Sequence, residues 1–325
     1  MMLHIEPKDV SVPEFHKLLL GGVAPRPIAL VSTLSEDGKP NLSPFSFFNA
    51  FGVNPPIIAF SAARRGKDGS LKDTYNNLMQ TKECVVQAVT YSMVEQISLA
   101  SSEYPSDVDE FFKSGLTPIE SDKVKPPRVK QSPFQMECIL KDMISYGEDG
   151  GSANLAICEV VKLHVKKDII KDGIIEPDLI DLVARMSANY YCRANGDSVF
   201  VVEKPGTSLG VGFDNIPEFI KISEIYSAND LAKFAGISKI PSSKEAFELK
   251  KNIEDERLKI NLPLVETFFE YQVLNNYKHM LKLALTILQK DKKETKYLEL
   301  TAKNALQNND KKFAWKSALM VDQFK

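Results

Sequence analysis

The stretch SAARRGKDGSLKDT, residues 61–74, gathers Arg64, Arg65, Lys67 and Lys72 with the hydroxyls of Ser61, Ser70 and Thr74. An apolar run precedes it and a helical pattern follows, so it leaves a strand and opens a helix. Cations, hydroxyl donors and the unpaired amides of a helix start suit a phosphate, because the helix N-terminus is partially positive. Asp73 then serves as a cap or as a ligand to a hydroxyl. A solvated basic loop accounts equally well for the composition alone.

A second stretch, NLSPFSFFN at 41–49, interleaves Asn41, Ser43, Ser46 and Asn49 with Phe45, Phe47 and Phe48. It offers aromatic surface and backbone amides to one flat, partly polar ring system, and Pro44 favours a sheet edge. The competing reading is an amphipathic strand whose aromatics fill the core. The familiar signatures are absent: no G-x-G-x-x-G after a strand, no G-x-x-x-x-G-K-[ST], no H-E-x-x-H and no G-x-S-x-G. His4, His16, His164 and His279 are too scattered in sequence to suggest a metal cluster, and His164 lies in a strand pattern where a surface position is the default.

These groups must be held by a chain of 325 residues, which at roughly 150 residues per domain suggests one large domain or two modest ones. With 43% hydrophobic and 26% charged residues, neither global disorder nor a fibrous repeat fits. A formal charge of -2 gives no overall pull toward nucleic acid or an anionic membrane, so an anion site must be local. No segment approaches the roughly 18 unbroken apolar residues of a membrane span, and the N-terminus lacks a basic flank before an apolar run. The expectation is a cytoplasmic protein. Cys84, Cys138, Cys158 and Cys192 lack a C-x-x-C pairing and read as reduced, mostly buried thiols.

Glycine and proline divide the chain. No glycine follows Gly236 and no proline follows Pro263, and beyond that point Val265, Phe268, Phe269, Leu281, Ala284, Leu285 and Leu288 recur at helical steps. Helices are expected at 243–260, 263–289 and 293–322. The earlier part predicts strands at 28–34, from 40, 57–62, 84–90, 134–145, 153–165 and 199–202, helices at 73–80 and 93–101, and a hairpin at Asp37-Gly38. About eight strands with few helices between them favour an antiparallel barrel over a doubly wound sheet. Trp315 and Phe313 read as packing of a terminal helix, and Lys292, Lys293 and Lys296 as a wet face.

PRPIALVST at 25–33, the hairpin turn, NLSPFSFFN, NPPIIAFS at 54–61 and KDT with Asn77 together resemble the flavin reductase-like proteins of the FMN-binding split-barrel fold. The resemblance continues through Arg185 and Tyr191 to the approach to Pro205. It implies a mainly β split barrel of Greek-key type with flanking helices at 1–205, followed by an α-helical C-terminal extension at 206–325. It also implies a homodimer with one FMN per subunit near the interface. Ser43, Pro44, Phe45, Ser46, Phe47 and Asn49 would then lie along the isoalloxazine and ribityl chain. Ser61, Arg65, Lys72, Asp73 and Thr74 would hold the phosphate, with Arg65 chosen over Arg64. Arg26 and Tyr191 match less informatively. The segment from Gly210 to Gly236 is similar to an extension in a bacterial branch of the family and receives no role.

With FMN bound no acid–base side chain is required, because hydride passes from nicotinamide to flavin N5. The expected activity is NAD(P)H-dependent flavin reduction, with NAD(P)H as co-substrate. The alternatives are an FMN-binding electron carrier without NAD(P)H activity, and a helical tail that docks a partner.

Overall fold

Between Pro25 and Pro27 runs a strand too short to read from the sequence, β1 (Arg26–Pro27), which follows helix α1 (Val12–Gly22) and leads into β2 (Ala29–Leu34). The structure is a computed structural model that describes residues 1–203, 209–254, 258 and 262–324. At the Asp37-Gly38 turn Gly38 takes φ 81°, which lets the chain return as β3 (Pro40–Phe45). The pairing runs from Ala29↔Phe45 to Leu34↔Pro40. Next come β4 (Phe48–Val53), β5 (Pro56–Ser61), α2 (Asp73–Thr81), β6 (Glu83–Ala88), α3 (Val94–Ala100) and α4 (Glu110–Ser114). A small ribbon, β7 (Pro118–Ile119) with β8 (Arg128–Val129), precedes the two long strands β9 (Phe134–Tyr146) and β10 (Ala153–Val165). A second ribbon, β11 (Ile170–Lys171) with β12 (Ile174–Ile175), leads through α5 (Pro177–Ile180) to β13 (Leu182–Arg185) and β14 (Tyr191–Ala194).

Seven strands form one antiparallel sheet in the order β3-β2-β6-β9-β10-β5-β4, and β1-β13-β14 form a separate one. Among the described residues no ladder joins the edge strands β3 and β4, so the expected barrel appears as a seven-stranded sheet rather than a closed one. The burial of β2 from Ala29 to Thr33 has a direct cause: both its faces are covered. Ala29 and Val31 join Phe45, Phe60, Leu78, Val86 and Cys138 on one side. Ile28 and Leu30 join Leu42, Met93, Ile97 and Phe111 on the other, under α3 and α4.

The chain divides into two units, Met1–Val201 and Val202–Lys325. The expected boundary at 205 falls outside the described residues. Every described strand belongs to the first unit, and among the described residues the second contains only helices: α6 (Glu218–Lys221), α7 (Ala228–Ala235), α8 (Ser243–Glu254), α9 (Leu264–Val273), α10 (Tyr277–Lys290), α11 (Lys296–Gln307) and α12 (Lys311–Met320). The chain as a whole is therefore mixed α and β, not mainly β. The strand expected at 199–202 is not formed. Val199, Phe200, Val201 and Val202 are exposed, and β propensity without a partner strand or a covered face makes no strand.

The helices expected at 263–289 and 293–322 are each two. Asn275 (φ 54°) and Asn309 (φ 59°) supply left-handed breaks that need neither glycine nor proline. The end of the helix expected at 243–260 lies outside the described residues. Trp315 is fully buried, and its indole Nε1 donates to Phe234 O at 3.0 Å. Phe268, Leu281, Leu285 and Leu298 complete that core.

Candidate functional site

The basic loop is folded by its own backbone. As β5 ends, Ser61 N donates to Phe47 O at 2.9 Å and Arg64 N to Ser152 O at 2.9 Å, and Gly151 N returns a bond to Arg64 O at 3.2 Å. The loop is thus sewn to the turn between β9 and β10. The approach is close: a Cβ on Gly150 would stand 2.7 Å from Gly66 O. Arg65 O accepts from Gly69 N at 2.9 Å, closing a turn. The Arg65 guanidinium then bonds Leu71 O, Ser70 Oγ at 3.4 Å and Asp73 Oδ2 at 3.0 Å. These contacts fix Lys72 as the residue that opens α2.

Ser43, Arg65, Lys72, Asp73 and Thr74 line one cleft, closed by Ser101 to Tyr104 after α3 and by Glu110. The Lys72 ammonium lies 5.2 Å from the centre of the Phe45 ring. Burial, and next the neighbouring Arg65 charge, hold its pKa below the usual lysine value, with Glu103 opposing in part. Among the described residues Lys72 makes no ion pair. The buried Ser61 Oγ has no hydrogen-bond partner. The Asp73 and Thr74 amides, first in α2, find no acceptor among the described residues. The Lys72 ammonium, in no ion pair among the described residues, and the free Asp73 and Thr74 amides therefore share one cleft, which is the donor set of an anion site, while Ser61 is not among the residues that line it.

A buried polar network backs the cleft. Thr74 Oγ1 donates to Asn41 Oδ1 at 2.8 Å, and Asn41 Nδ2 donates to Glu110 Oε1 at 3.2 Å. Leu42 N occupies the other Glu110 oxygen at 3.1 Å, and Asn77 Nδ2 donates to Thr33 Oγ1 at 3.0 Å. Burial pushes the Glu110 carboxyl upward, the bonds from Leu42 and Asn41 pull it down, and the Asp73 charge adds to the rise. Because the Thr74 proton goes to Asn41, its hydroxyl presents lone pairs, and donors toward an anion come from amides and cations. Sequence reasoning did not find Glu110, which carries no local motif and meets Asn41 from 69 positions away.

The remaining expected site residues are spread further. Phe45 is 5% exposed and packs on Phe60 at 5.4 Å, so its ring belongs to the core while Lys72 covers it. Pro44 sits in β3, an edge strand, as its missing amide favours. Ser46 follows β3 and accepts from Arg26 Nε at 3.5 Å. Phe47 and Asn49 are exposed along the turn and β4, outside the Lys72 cleft. Arg64 also lies outside it, with Nη1 bonded to Gly69 O at 2.9 Å. Tyr191 stands apart as well, in a groove between α3 and the β13–β14 pair, where the Arg185 guanidinium covers its ring at 4.5 Å. His164 does not take a bare surface position: its Nε2 is 2.5 Å from Oε1 of the fully buried Glu137, which also accepts from the amides of Asp122, Lys123 and Val124.

Residues 21–181 match the flavin reductase like domain. An uncharacterized protein of Aquifex aeolicus (strain VF5) is 35% identical over 191 residues, 58% of this chain and 95% of that protein. The chain belongs to the flavin reductase-like family. Nitrilotriacetate monooxygenase component B from Bacillus cereus superposes with a TM-score of 0.58 at 32% identity, over 62% of this chain and 99% of that one. The 2-nitrobenzoate 2-nitroreductase NbaA of Pseudomonas fluorescens does so at 0.55 and 26%, over 64% and 100%. The flavin reductase-like match takes in the whole Lys72 cleft and its Glu110 backing, and it ends before β14 and Tyr191. No helix among the described residues is long and apolar enough to cross a membrane.

Proposed function

We propose that this chain is an NAD(P)H-dependent flavin reductase that binds FMN with its phosphate in the Lys72 cleft. Residues 1–205 would form the FMN-binding split barrel and 206–325 its helical extension, in a cytoplasmic homodimer. The observation that carries the reading is Lys72 itself, a largely buried ammonium beside Arg65 with no carboxylate paired to it among the described residues. A cation drawn out of water with only Glu103 acting in its favour is costly, and a bound phosphate offsets that cost. The unpartnered Ser61 Oγ and the free Asp73 and Thr74 amides supply the remaining donors. From there the Ser43–Asn49 stretch passes from edge strand β3 to edge strand β4, where Ser46 and the backbone amides would meet the ribityl chain and ring. A second copy is supported by β4, an edge strand exposing Phe51 and Val53.

When bound, FMN supplies the hydride-accepting N5. The protein's part is to fix the phosphate through Lys72, to hold amide donors toward the ring, and to leave one ring face open. The test is an absorption titration of the purified protein with FMN, followed by anaerobic NADH and then NADPH. Flavin bands that shift on binding and bleach with either nucleotide are expected, and Lys72→Met should weaken FMN binding by roughly tenfold or more, the size of a lost charge-assisted bond. Unchanged FMN affinity in that variant would remove the phosphate assignment, and bound flavin that stays oxidised with both nucleotides would remove the reductase assignment.

A further inference from the structure

The groove that holds Tyr191 is a second, separate place where positive charge lacks a partner. It encloses about 550 Å³ between α3 and the β13–β14 pair. Two arginines stand on two tyrosines there, Arg185 over Tyr191 at 4.5 Å and Arg193 over Tyr91 at 4.1 Å. They are not equivalent. Arg193 is bound in fork geometry by Asp181, at 2.7 and 2.8 Å, so its charge is already matched. Arg185 makes no ion pair among the described residues, and in the β1–β13 register it lies opposite Arg26. Arg26 has no carboxylate either, since its guanidinium is spent on the carbonyls of Leu20, Val23 and Met186 at 2.6 to 2.9 Å. The Arg185 charge and burial together depress the Arg26 pKa, burial being the larger cause.

The Arg185 guanidinium, in no ion pair among the described residues and beside an aromatic ring 39% exposed, suits a ligand that is both anionic and flat. Across the groove, Glu95 and Ser98 of α3 offer acceptors and a hydroxyl suited to a ribose. The groove also adjoins the Lys72 cleft, because Ser101 lines both, and Arg26 reaches from the β1–β13 pairing to Ser46. A ligand seated here thus extends toward the stretch assigned to the flavin.

We propose that this groove receives the adenosine phosphate end of the nicotinamide dinucleotide, with Arg185 on a phosphate and the uncovered face of Tyr191 under the adenine. The inference rests on the reading of the chain as an NAD(P)H-dependent reductase and adds where the co-substrate is held. It assigns Tyr191 to the nucleotide rather than to FMN.

ADP is the probe, titrated calorimetrically into the FMN-loaded protein and tested as an inhibitor against the reducing nucleotide. ADP should bind and compete with it. Arg185→Gln should weaken ADP and raise KM for the nucleotide by about tenfold, as expected for one charge-assisted bond, with the change in KM rather than in kcat and the FMN dissociation constant unmoved. Arg185→Lys should recover part of the loss, and Tyr191→Leu should weaken ADP without touching FMN. Equal ADP affinity and equal KM in wild type and Arg185→Gln overturn the groove assignment even where flavin bleaches normally. If flavin fails to bleach while ADP binding still depends on Arg185, the reductase reading falls and the groove stands as an adenosine phosphate site.

Discussion

Lys72 keeps its proton against two opposing influences, withdrawal from water and the Arg65 charge, and only Glu103 works the other way. For a base whose pKa is lower in the folded protein than in the unfolded chain, the unfolded state binds more protons between the two values, so stability rises with pH through that window. A bound phosphate reverses the preference and holds the proton on. Two consequences of opposite sign follow. Lys72→Met should raise the melting temperature of the flavin-free protein at neutral pH while weakening FMN binding. In the wild type, the FMN dissociation constant should be flat near neutrality and climb on the alkaline side, starting below the pH at which an ordinary lysine deprotonates. Fluorescence titrations between pH 7 and pH 10 read this directly, and an alkaline limb that persists in Lys72→Met would mean that another group controls binding. Lys72 and Thr74 were legible in the sequence because they sit in one contiguous run with the helix start that uses them. Asn41 was legible as a polar residue of the 41–49 stretch, but Glu110 was not, since a carboxylate that orients an amide across the fold has no spacing to betray it.

The strands that read well, β2, β5, β9 and β10, are those whose apolar residues are covered, so burial wrote their pattern. Those that escaped notice lack either cover or length: β4 is mostly exposed and β13 and β14 have four residues each, and they exist because a neighbouring strand supplies hydrogen bonds. The basic loop obeys the same logic. Its shape comes from the Gly147–Ser152 turn across from it, a partner no local motif names. Gly150 is the point of contact, where an added Cβ would meet Gly66 O at 2.7 Å, Gly66 C at 3.1 Å and Arg65 O at 3.2 Å. All three are backbone atoms and cannot rotate away. Gly150→Ala should therefore displace the 65–70 turn, at a cost of about 1–3 kcal/mol by analogy with overpacked cores. FMN affinity should fall although the substituted residue never meets the ligand. A Gly150→Ala protein with wild-type affinity and melting temperature would show that the loop is set by Arg65 and Asp73 alone.

Each unit closes its own apolar core, one around Phe60 and Leu78 and the other around Phe268 and Trp315. The absence of glycine and proline after residue 263 announced the helical character of the second unit but hid its turns, which Asn275 and Asn309 make in left-handed conformation. Trp315 is the sole tryptophan, so its emission reports the helical unit alone, while flavin release reports the first. Two cores need not unfold as one cooperative transition. Urea titration followed by both signals should give two different midpoints. Trp315→Phe sharpens the test, because it removes the indole donor, leaves Phe234 O unpaired in the core and opens space beside it. The lost bond alone should cost about 1–3 kcal/mol. In that variant helical ellipticity should be lost at lower urea while the midpoint of flavin release and the FMN dissociation constant stay in place. Coincident midpoints in the wild type, moving together in Trp315→Phe, would instead make the two cores a single cooperative structure and give the helical unit a part in holding the flavin.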